Sequence, residues 1–573
     1  MADTLAAPLA PRLGPIPPVR IVASADEKRM RIGLWLATLF LLCALVLPLA
    51  MLFLRSFEGH DGEFVWLANY VSYVTTPALL SSIWNSVWTA AITAIIVVPT
   101  AFAFAYAIMR SCIPGKPLLR AIALVPVLAP SLLPALALIY LFGNQGMLRW
   151  LLGGGSIYGP GGIVTAQVFY TFPHAFLILS VALGMADARL YEAAEVLKAS
   201  RSRILRTVTL PGARFGLVSA SVVVFTLVVT DFGIPKVIGG SFNVLATDVY
   251  KQVVGLHNFN MGAVVGVVLL LPAVGAFLLE RWAQGKQSGS LTGRAVPYVP
   301  KPRARRDVPL LVLCAIVAGL LLGIVGVAIW GSLIKFWPYN LSLTWANYDF
   351  ARFDGSGWSS FWVSVRMATW TAVFGTTVVF VVAYILERGP KQGPLIGILR
   401  FFITIPLAVP GLVLGLAYIL FFNDPLNPLT FLYGTLGILV LNSMTHFYTV
   451  CHLTAKTAIR QLDPEFEAVT ASLRVPIWRT FLRVTVPICL PAILDILVYL
   501  FVNAMTTVSA VIFLYGPDTK PASVAVVQMD EAGQASAAAA MAVTILAATT
   551  MLKLCQVGVG GLVDRRTQAW RRR

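Results

Sequence analysis

Long apolar segments alternate with short polar ones along nearly the whole chain. A helix needs about 20 apolar residues to cross the ~30 Å hydrocarbon core of a bilayer, and the pattern predicts twelve such spans. Their cores lie near residues 32–55, 83–109, 119–143, 162–185, 215–235, 261–279, 309–333, 361–386, 396–421, 433–455, 489–514 and 536–555. The fourth span, broken by Thr171, Pro173 and His174, and the last, rich in Ala and Thr, have the weakest patterns. We therefore expect an all-α integral membrane protein.

The composition agrees with this expectation. The 573 residues are 58% hydrophobic and only 12% charged, with a mean hydropathy of +0.81. Soluble domains carry about 25% charged residues. Lipid must therefore form part of the solvent of this protein.

The net charge of +18 could suggest nucleic-acid binding, but the positions of the cations favour topology and no nucleic-acid partner. The basic residues cluster in alternate loops: Lys28, Arg29, Arg31; Arg110, Lys116, Arg120; Arg189, Lys198, Arg201, Arg203, Arg206, Arg214; Lys286, Arg294, Lys301, Arg303, Arg305, Arg306; Arg388, Lys391, Arg400; Lys456, Arg460, Arg474, Arg479, Arg483; and the tail from Arg565 to Arg573. The opposite loops hold only scattered cations. The positive-inside rule then predicts a multi-pass protein of the bacterial inner membrane with both termini cytoplasmic.

The chain also repeats itself. Trp84 and Ser86 recur as Trp362 and Ser364, an offset of 278, and residues 187–211 recur as 463–487, an offset of 276. Because each copy holds six predicted spans, equivalent loops fall on the same side and the repeats are parallel. We predict a disordered leader (1–30), a first transmembrane domain (31–280), a polar linker (281–308), a second transmembrane domain (309–560) and a basic tail (561–573).

Prolines interrupt two equivalent spans, at Pro126, Pro130 and Pro134 and at Pro406 and Pro410. Each removes a backbone donor, which lipid tolerates only where protein or a water-lined path satisfies the freed carbonyl. Two interpretations remain open: these prolines kink packed helices, or they line a translocation path. The six cysteines show no CxxC pair, and no residue pattern indicates a metal or a bound cofactor.

The basic loop between the fourth and fifth spans contains the most specific motif. In order it presents Asp187, Glu192, Ala193, Ala194, Lys198, Val208, Leu210 and Pro211. It resembles the EAA loop of binding-protein-dependent importer permeases, in which Glu-Ala-Ala is followed by three residues, Gly, nine residues, and then aliphatic-x-Leu-Pro. Every spacing holds, with Lys198 in place of the Gly; the alternative is an ordinary amphipathic inner loop.

The resemblance implies a type I ABC importer permease fold and a short helix seated in a groove of a cytoplasmic ATPase subunit, with Glu192 as the main polar contact. Pro211 is expected to end that basic segment where the chain returns to the membrane. The second copy is degenerate: aligned on Pro487, Arg474 takes the Gly position, Ala468 the Glu position, and Glu467 lies one residue earlier. Two basic residues at the Gly position argue against a left-handed turn there.

No GxxxxGK[ST] phosphate-binding loop occurs in the sequence. We therefore expect a transport subunit rather than an enzyme, with ATP hydrolysed by a pair of partner subunits on the two EAA loops. The resemblance further implies a periplasmic substrate-binding protein, expected to dock on loops 56–80, 236–260 and 334–360. The rival class is an ion-coupled secondary transporter, for which Asp495 is the one buried candidate in the spans.

Within the importer family, residues 230–262 and 503–520 resemble permeases assigned to 2-aminoethylphosphonate, and the second segment also resembles fused ferric-iron permeases; thiamine permeases share the same architecture. A zwitterionic phosphonate needs acidic and cationic or donor-rich partners. The candidate substrate-path residues are Asp231, Lys236, Thr506, Thr507 and Ser509. Asp231 and Thr507 occupy matching positions in the two halves, although a group at a span end can also simply face water.

Overall fold

The computed structural model describes residues 25–59, 61–288, 296, 298–389, 393–463, 465–473 and 475–567. Most of the predicted leader, the middle of the predicted linker, Arg474 and the last six residues of the tail lie outside this range. Within it, helix begins at Ala25, inside the predicted leader, where Asp26 and Glu27 pair with Arg29 and Arg31 one turn later. Such i,i+3 and i,i+4 pairs support a helix start.

The first half is built from thirteen α-helical segments within the described residues. They are α1 (Ala25–Leu41), α2 (Leu47–Ser56), α3 (Ala68–Thr75), α4 (Pro77–Arg110), α5 (Lys116–Leu124), α6 (Leu132–Phe142), α7 (Pro160–Gly184), α8 (Ala188–Val196), α9 (Arg201–Ile204), α10 (Leu210–Thr230), α11 (Gly233–Ile238), α12 (Leu245–Tyr250) and α13 (Phe259–Ser288). π-Helical turns at Leu42–Val46, Leu205–Thr209 and Lys251–Gly255 join neighbouring segments.

The second half repeats this order and adds a small hairpin. Its helices are α14 (Ala304–Leu333), α15 (Ser359–Arg388), α16 (Pro394–Thr404), α17 (Gly411–Phe422), α18 (Leu436–His446), α19 (Tyr448–Arg460), α20 (Glu465–Ser472), α21 (Ile477–Thr480), α22 (Val486–Ile488), α23 (Leu490–Thr506), α24 (Ala522–Glu531) and α25 (Ala535–Thr567). The antiparallel strands β1 (Ile334–Phe336) and β2 (Asn340–Leu343) follow α14. A π-helical turn, Phe481–Thr485, joins α21 to α22.

Among the described residues, eight helices are long and apolar enough to cross a membrane, and three bent helix pairs bring the number of candidate spans to eleven. The predicted tenth span is α18 followed by α19, interrupted at Phe447, so neither piece is long enough by itself. Together these two helices cover 436–460, the repeat of α7 (Pro160–Gly184) at an offset of 276. The six-helix repeat is therefore preserved.

The proline-containing third and ninth spans are not simple kinked helices. The chain bends by 99° between residues 116–128 and 132–142, and by 116° between 394–407 and 411–422. Each break follows a 3₁₀ turn that contains Pro126 or Pro406. Because proline lacks an N–H and its ring clashes with the preceding helical turn, both helices end there and restart in a new direction.

The two halves interlock through their entry helices. α1 and α2 lie against α15, α16 and α17 of the second half, whereas α14 lies against α4, α5 and α6 of the first. The Tyr418 hydroxyl donates to the carbonyl of Ala44 at 2.6 Å, joining α17 to the first span. One continuous apolar core therefore contains residues of both halves.

The repeated sequence signature has a structural role. Ser86 Oγ accepts from the backbone N–H of Leu245 at 2.8 Å, and the equivalent Ser364 Oγ accepts from Ala522 at 2.7 Å. In each half this bond satisfies the first N–H of a short helix, α12 or α24, which has no partner within its own helix. The internal duplication is thus confirmed at the level of single hydrogen bonds.

Candidate functional sites

The first basic loop, residues 187–211, folds as a capped short helix. Asp187 accepts from the N–H of Arg189 at 3.1 Å and so caps α8. The helix ends with Lys198 at φ +50°. The Lys198 N–H donates to Glu195 O, and the Ala199 N–H to Ala194 O, both at 3.0 Å. These are the two bonds of a Schellman C-cap, which requires a left-handed residue between them.

The expectation that a basic residue excludes a left-handed turn is therefore wrong for Lys198. Closing the helix satisfies two carbonyls that would otherwise lack partners, and this outweighs the steric cost of the Cβ. In the second loop the Val475 N–H donates to Thr470 O at 2.9 Å, the equivalent of the Ala199 bond. Both loops, 187–211 and 463–487, are called coupling loops below.

Pro211 does not end the helix that returns to the membrane. The chain is helical without interruption over Arg201–Thr230 and passes through this proline. A π-helical turn, Leu205–Thr209, immediately precedes it, and the Leu210 N–H bonds to Leu205 O, five residues back. The wider turn accommodates the proline ring and its missing N–H. The same π turn occurs before Pro487.

The outer face of α8 combines the motif residues with apolar side chains. Glu192 and Ala193 are exposed and Ala194 is half-buried. Val196 and Leu197 beside them are 81% and 80% exposed. The side chains of Glu467 and Ala468 and all of Arg474 lie outside the described residues, but α20 and its C-terminus expose Phe466, Val469 and Leu473. These three are the repeats of Leu190, Ala193 and Leu197.

Sequence reasoning selected Ala193 as part of the Glu-Ala-Ala motif but missed the apolar row to which it belongs. Leu190, Ala193 and Leu197 follow the i, i+3, i+7 spacing of one helix face. Their repeats preserve both the spacing and the apolar character. The comparison of the two halves could have revealed them.

Equivalent arginines, the buried Arg110 and the half-buried Arg388, support the two coupling loops from the membrane side. Arg110, at the end of α4, donates to Leu183 O at 2.6 Å and lies 4.8 Å from the ring of Tyr191 in α8. Its repeat, Arg388, donates to Ile459 O at 2.8 Å and Leu462 O at 3.0 Å. In both halves the guanidinium binds the last carbonyls of the helix that leads into the coupling loop.

A second site is a cavity of about 320 Å³ between the halves. Four of the predicted path residues line it: Asp231, Thr506, Thr507 and Ser509. It is also lined by polar or aromatic residues that sequence reasoning did not assign to it, namely Ser131, Tyr170, His174, Thr226, Thr230, His446, Phe447, Thr449, Tyr499 and Asn503. Of the span prolines, Pro406 and Pro410 line it, whereas Pro126, Pro130 and Pro134 are not among its lining residues.

Asp231 is held by hydrogen bonds at the end of α10. Its Oδ2 accepts from Gln167 Nε2 at 2.8 Å and from the backbone N–H of Ile234 at 3.0 Å. The second bond satisfies an N–H in the first turn of α11, which has no acceptor within its own helix. The carboxylate is thus oriented in the cavity wall by two elements of the first half.

Two close glycine–serine contacts pack the wall of the cavity, and the glycine and the serine change places between the two halves. A Cβ on Gly233 would lie 2.5 Å from Ser131 Oγ, and a Cβ on Gly411 would lie 2.8 Å from Ser509 Oγ. Ser131 and Gly411 occupy repeated positions, as do Gly233 and Ser509. In each half the broken span therefore packs closely against the segment that follows the fifth span of that half. At each of these contacts one of the two residues is a glycine because there is no room for a Cβ.

Lys236, the fifth predicted path residue, is not among the residues that line the cavity. Its Nζ is 2.5 Å from Glu531 Oε1 and 4.7 Å from the centre of the Tyr250 ring. The Glu531 contact joins α11 of the first half to α24 of the second, on the face opposite the coupling loops. Burial, together with the adjacent Glu531 charge, raises the pKa of the neighbouring Asp530 to about 6.

These features define a duplicated helical membrane permease with one coupling loop per half. A family model described as "Binding-protein-dependent transport system inner membrane component" matches residues 98–287 and 391–568. Since the two matches together cover more than half of the chain, the protein belongs to this family of ABC importer permeases.

Two relatives resemble most of the chain. "Putative ferric transport system permease protein FbpB 1" of Haemophilus influenzae is 29% identical over 83% of this chain and 76% of its own length. "Ferric transport system permease protein FbpB" of Actinobacillus pleuropneumoniae is 27% identical over 86% of this chain and 72% of its own length. "Putative 2-aminoethylphosphonate transport system permease protein PhnU" of Salmonella choleraesuis is 22% identical over 44% of this chain and 92% of its own. The two relatives that match most of this chain are thus named for ferric transport, whereas the one named for 2-aminoethylphosphonate matches less than half of it.

Proposed function

We propose that this protein is the permease of an ATP-driven importer of ferric iron. A binding protein delivers the cargo to the face opposite the coupling loops, and a pair of ATPase subunits docks on those loops from the cytoplasm. The names of the two ferric relatives support the substrate, and the capped, exposed helix α8 supports the docking role of Glu192, Ala193 and Ala194. Lys198 and Pro211, with Glu467, Ala468, Arg474 and Pro487 of the second loop, belong to the same proposed coupling sites.

The observation that carries the substrate proposal is the charge of the cavity. Asp231 is the only Asp, Glu, Lys or Arg among the described residues that line the cavity. An anionic phosphonate would require a cationic partner, and Lys236, the expected partner, is paired with Glu531 elsewhere. A trivalent cation is instead attracted by the Asp231 carboxylate and by phenol, hydroxyl and amide oxygens, with no positive side chain to repel it.

A resident metal centre is not part of this proposal. The described residues contain no group of three or more His, Cys, Asp or Glu that could hold a metal ion. A permease must release its cargo, so weak and distributed contacts suit transit better than a tight site.

An ion-coupled carrier is the less supported class. Such carriers place ionisable residues in the membrane to move coupling ions. Asp495, which the sequence predicted to be buried, is exposed; it accepts from Gln556 Nε2 at 2.6 Å and thereby joins α23 to α25. This is an interhelical hydrogen bond of the kind that holds membrane helices together.

Uptake measurements test the proposal. Cells that lack their own ferric importers would express this chain with its ATPase and binding protein, and would be assayed for radiolabelled ferric uptake and for growth on 2-aminoethylphosphonate as sole phosphorus source. We expect ferric uptake without growth on the phosphonate. Asp231→Asn should lower uptake at unchanged membrane abundance, whereas Asp495→Asn, outside the cavity, should not. Growth on the phosphonate without ferric uptake would reverse the substrate assignment.

A further inference from the structure

The two coupling loops start their returning helices in different ways. In the first loop Ser200 is the N-cap, and its hydroxyl accepts from the N–H of Arg203 at 3.3 Å. The repeat of Ser200 is Pro476, which is also the N-cap residue but has no side-chain acceptor. The second loop therefore lacks the local cap that the first loop carries.

An acceptor for this helix start is supplied from the other end of the chain, and it takes the N–H of Ile477 rather than that of Arg479, the repeat of Arg203. Asp26, in the first turn of α1, accepts from the backbone N–H of Ile477 through Oδ2 at 3.0 Å. Its Oδ1 accepts from the exposed Arg29 at 3.1 Å. Ile477 is the first residue of a helix that extends to Ile488. A carboxylate at this end satisfies a free N–H and interacts favourably with the helix dipole.

The first loop is held by a different segment of the chain. The Ala188 N–H donates to Val296 O at 2.9 Å, and Arg303 pairs with Glu195 at 3.2 Å. Val296 and Arg303 precede α14, the entry helix of the second half, just as Asp26 begins the entry helix of the first. Each coupling loop thus contacts the segment that leads into the opposite half.

We propose that Asp26 is a positioning residue for the second coupling loop. It caps the first N–H of the helix that follows Pro476, a helix start without a local side-chain cap, and lies on α1, which packs against α15 and α16. The consequence for transport rests on the proposed function, since it assumes that an ATPase subunit moves this loop.

The test uses the full importer complex and four variants of this chain. Asp26→Ala removes the acceptor, and Asp26→Ala/Pro476→Ser adds a local cap of the Ser200 type. Pro476→Ser alone is the reference for the double variant. Arg29→Ala is the matched control, because it removes the other partner of Asp26 and keeps the Ile477 bond.

Two readouts separate positioning from general stability. We expect Asp26→Ala to increase hydrogen exchange at the Ile477 amide about fivefold, the effect of losing one helix cap, and to lower the amount of cargo moved per ATP at unchanged membrane abundance. Pro476→Ser should restore transport per ATP in the Asp26→Ala background, and Arg29→Ala should resemble the wild type.

Two results would overturn the inference: unchanged Ile477 exchange in Asp26→Ala, or failure of Pro476→Ser to restore coupling. If Asp26→Ala lowers membrane abundance, Asp26→Asn, which keeps an acceptor oxygen, must restore it for the inference to stand. Amide exchange does not depend on ATPase docking. If the proposed function is wrong, the wild-type protein would transport cargo without ATP. The result for hydrogen exchange at Ile477 would not change.

Discussion

At the scale of single residues, Lys198 illustrates a conflict between residue preference and backbone requirement. A left-handed conformation costs a residue with a Cβ roughly 1–2 kcal/mol. Lys198 nevertheless adopts φ +50° because the two closing bonds of α8 need it there. The glycine of the family motif is thus explained as a helix terminator, and this chain tolerates the strain.

Replacing Lys198 by glycine should therefore preserve the loop and relieve this strain. We expect Lys198→Gly to retain ATPase recruitment and to raise the thermal stability of the purified permease slightly. Lys198→Ala removes the same amine without relieving the backbone and serves as the control. Lys198→Val should be clearly worse, since β-branched residues tolerate positive φ poorly. Equal melting temperatures for all three variants would contradict the explanation.

At the scale of elements, each coupling loop presents an exposed apolar row beside its motif residues. Leu190, Ala193 and Leu197 in the first loop correspond to Phe466, Val469 and Leu473 in the second. Exposed apolar side chains at helical spacing are typical of a protein contact surface. The degenerate second motif thus retains the apolar part of the surface although its Glu has moved by one position.

Introducing a charge into this row should weaken ATPase docking. We expect Leu197→Glu and Leu473→Glu each to lower ATPase co-purification, because a carboxylate would have to be buried against the partner. Leu426→Glu is a matched control in a loop on the opposite face, where Leu426 is 93% exposed. If the two loop variants recover as much ATPase as Leu426→Glu, the apolar row is not a docking surface.

At the scale of the whole molecule, the two halves meet on both sides of the cavity. The entry helices cross to the opposite half, and the Lys236–Glu531 pair joins α11 to α24 on the face away from the coupling loops. Tyr250 and Phe513 add a stacked contact between the halves, with ring centres 6.3 Å apart. These contacts join the two halves on the face to which, in the proposed function, a binding protein would deliver cargo.

Breaking the Lys236–Glu531 pair should favour opening of this face. Exposed pairs contribute about 0–1 kcal/mol, so we expect a modest shift rather than permanent opening. Glu531→Gln should increase modification of a cysteine introduced at Thr507 by an impermeant thiol reagent. The exchanged pair Lys236→Glu/Glu531→Lys should reverse part of the increase. If labelling is the same in the single and exchanged variants, the pair does not hold the face closed.

Local patterns in the sequence were sufficient for much of the architecture. The apolar segments, the parallel duplication and the interrupting prolines all depend on neighbouring residues, because a span must be apolar along its own length and a proline disrupts its own helix. For the same reason the first coupling loop and most of the cavity candidates, Asp231, Thr506, Thr507 and Ser509, could be selected before the fold was known.

Contacts between distant residues were decided only by the tertiary structure. The pairing of Lys236 with Glu531, the cap that Asp26 provides to Ile477 and the exchanged glycine and serine at the cavity join residues far apart in the sequence. No periodicity or spacing encodes such partners. They arise when two helices pack and an unsatisfied N–H, a charge or a Cβ must be accommodated at the contact. The sequence therefore determined the elements and their repeat, whereas packing decided which side chains reach the cavity and which hold the halves together.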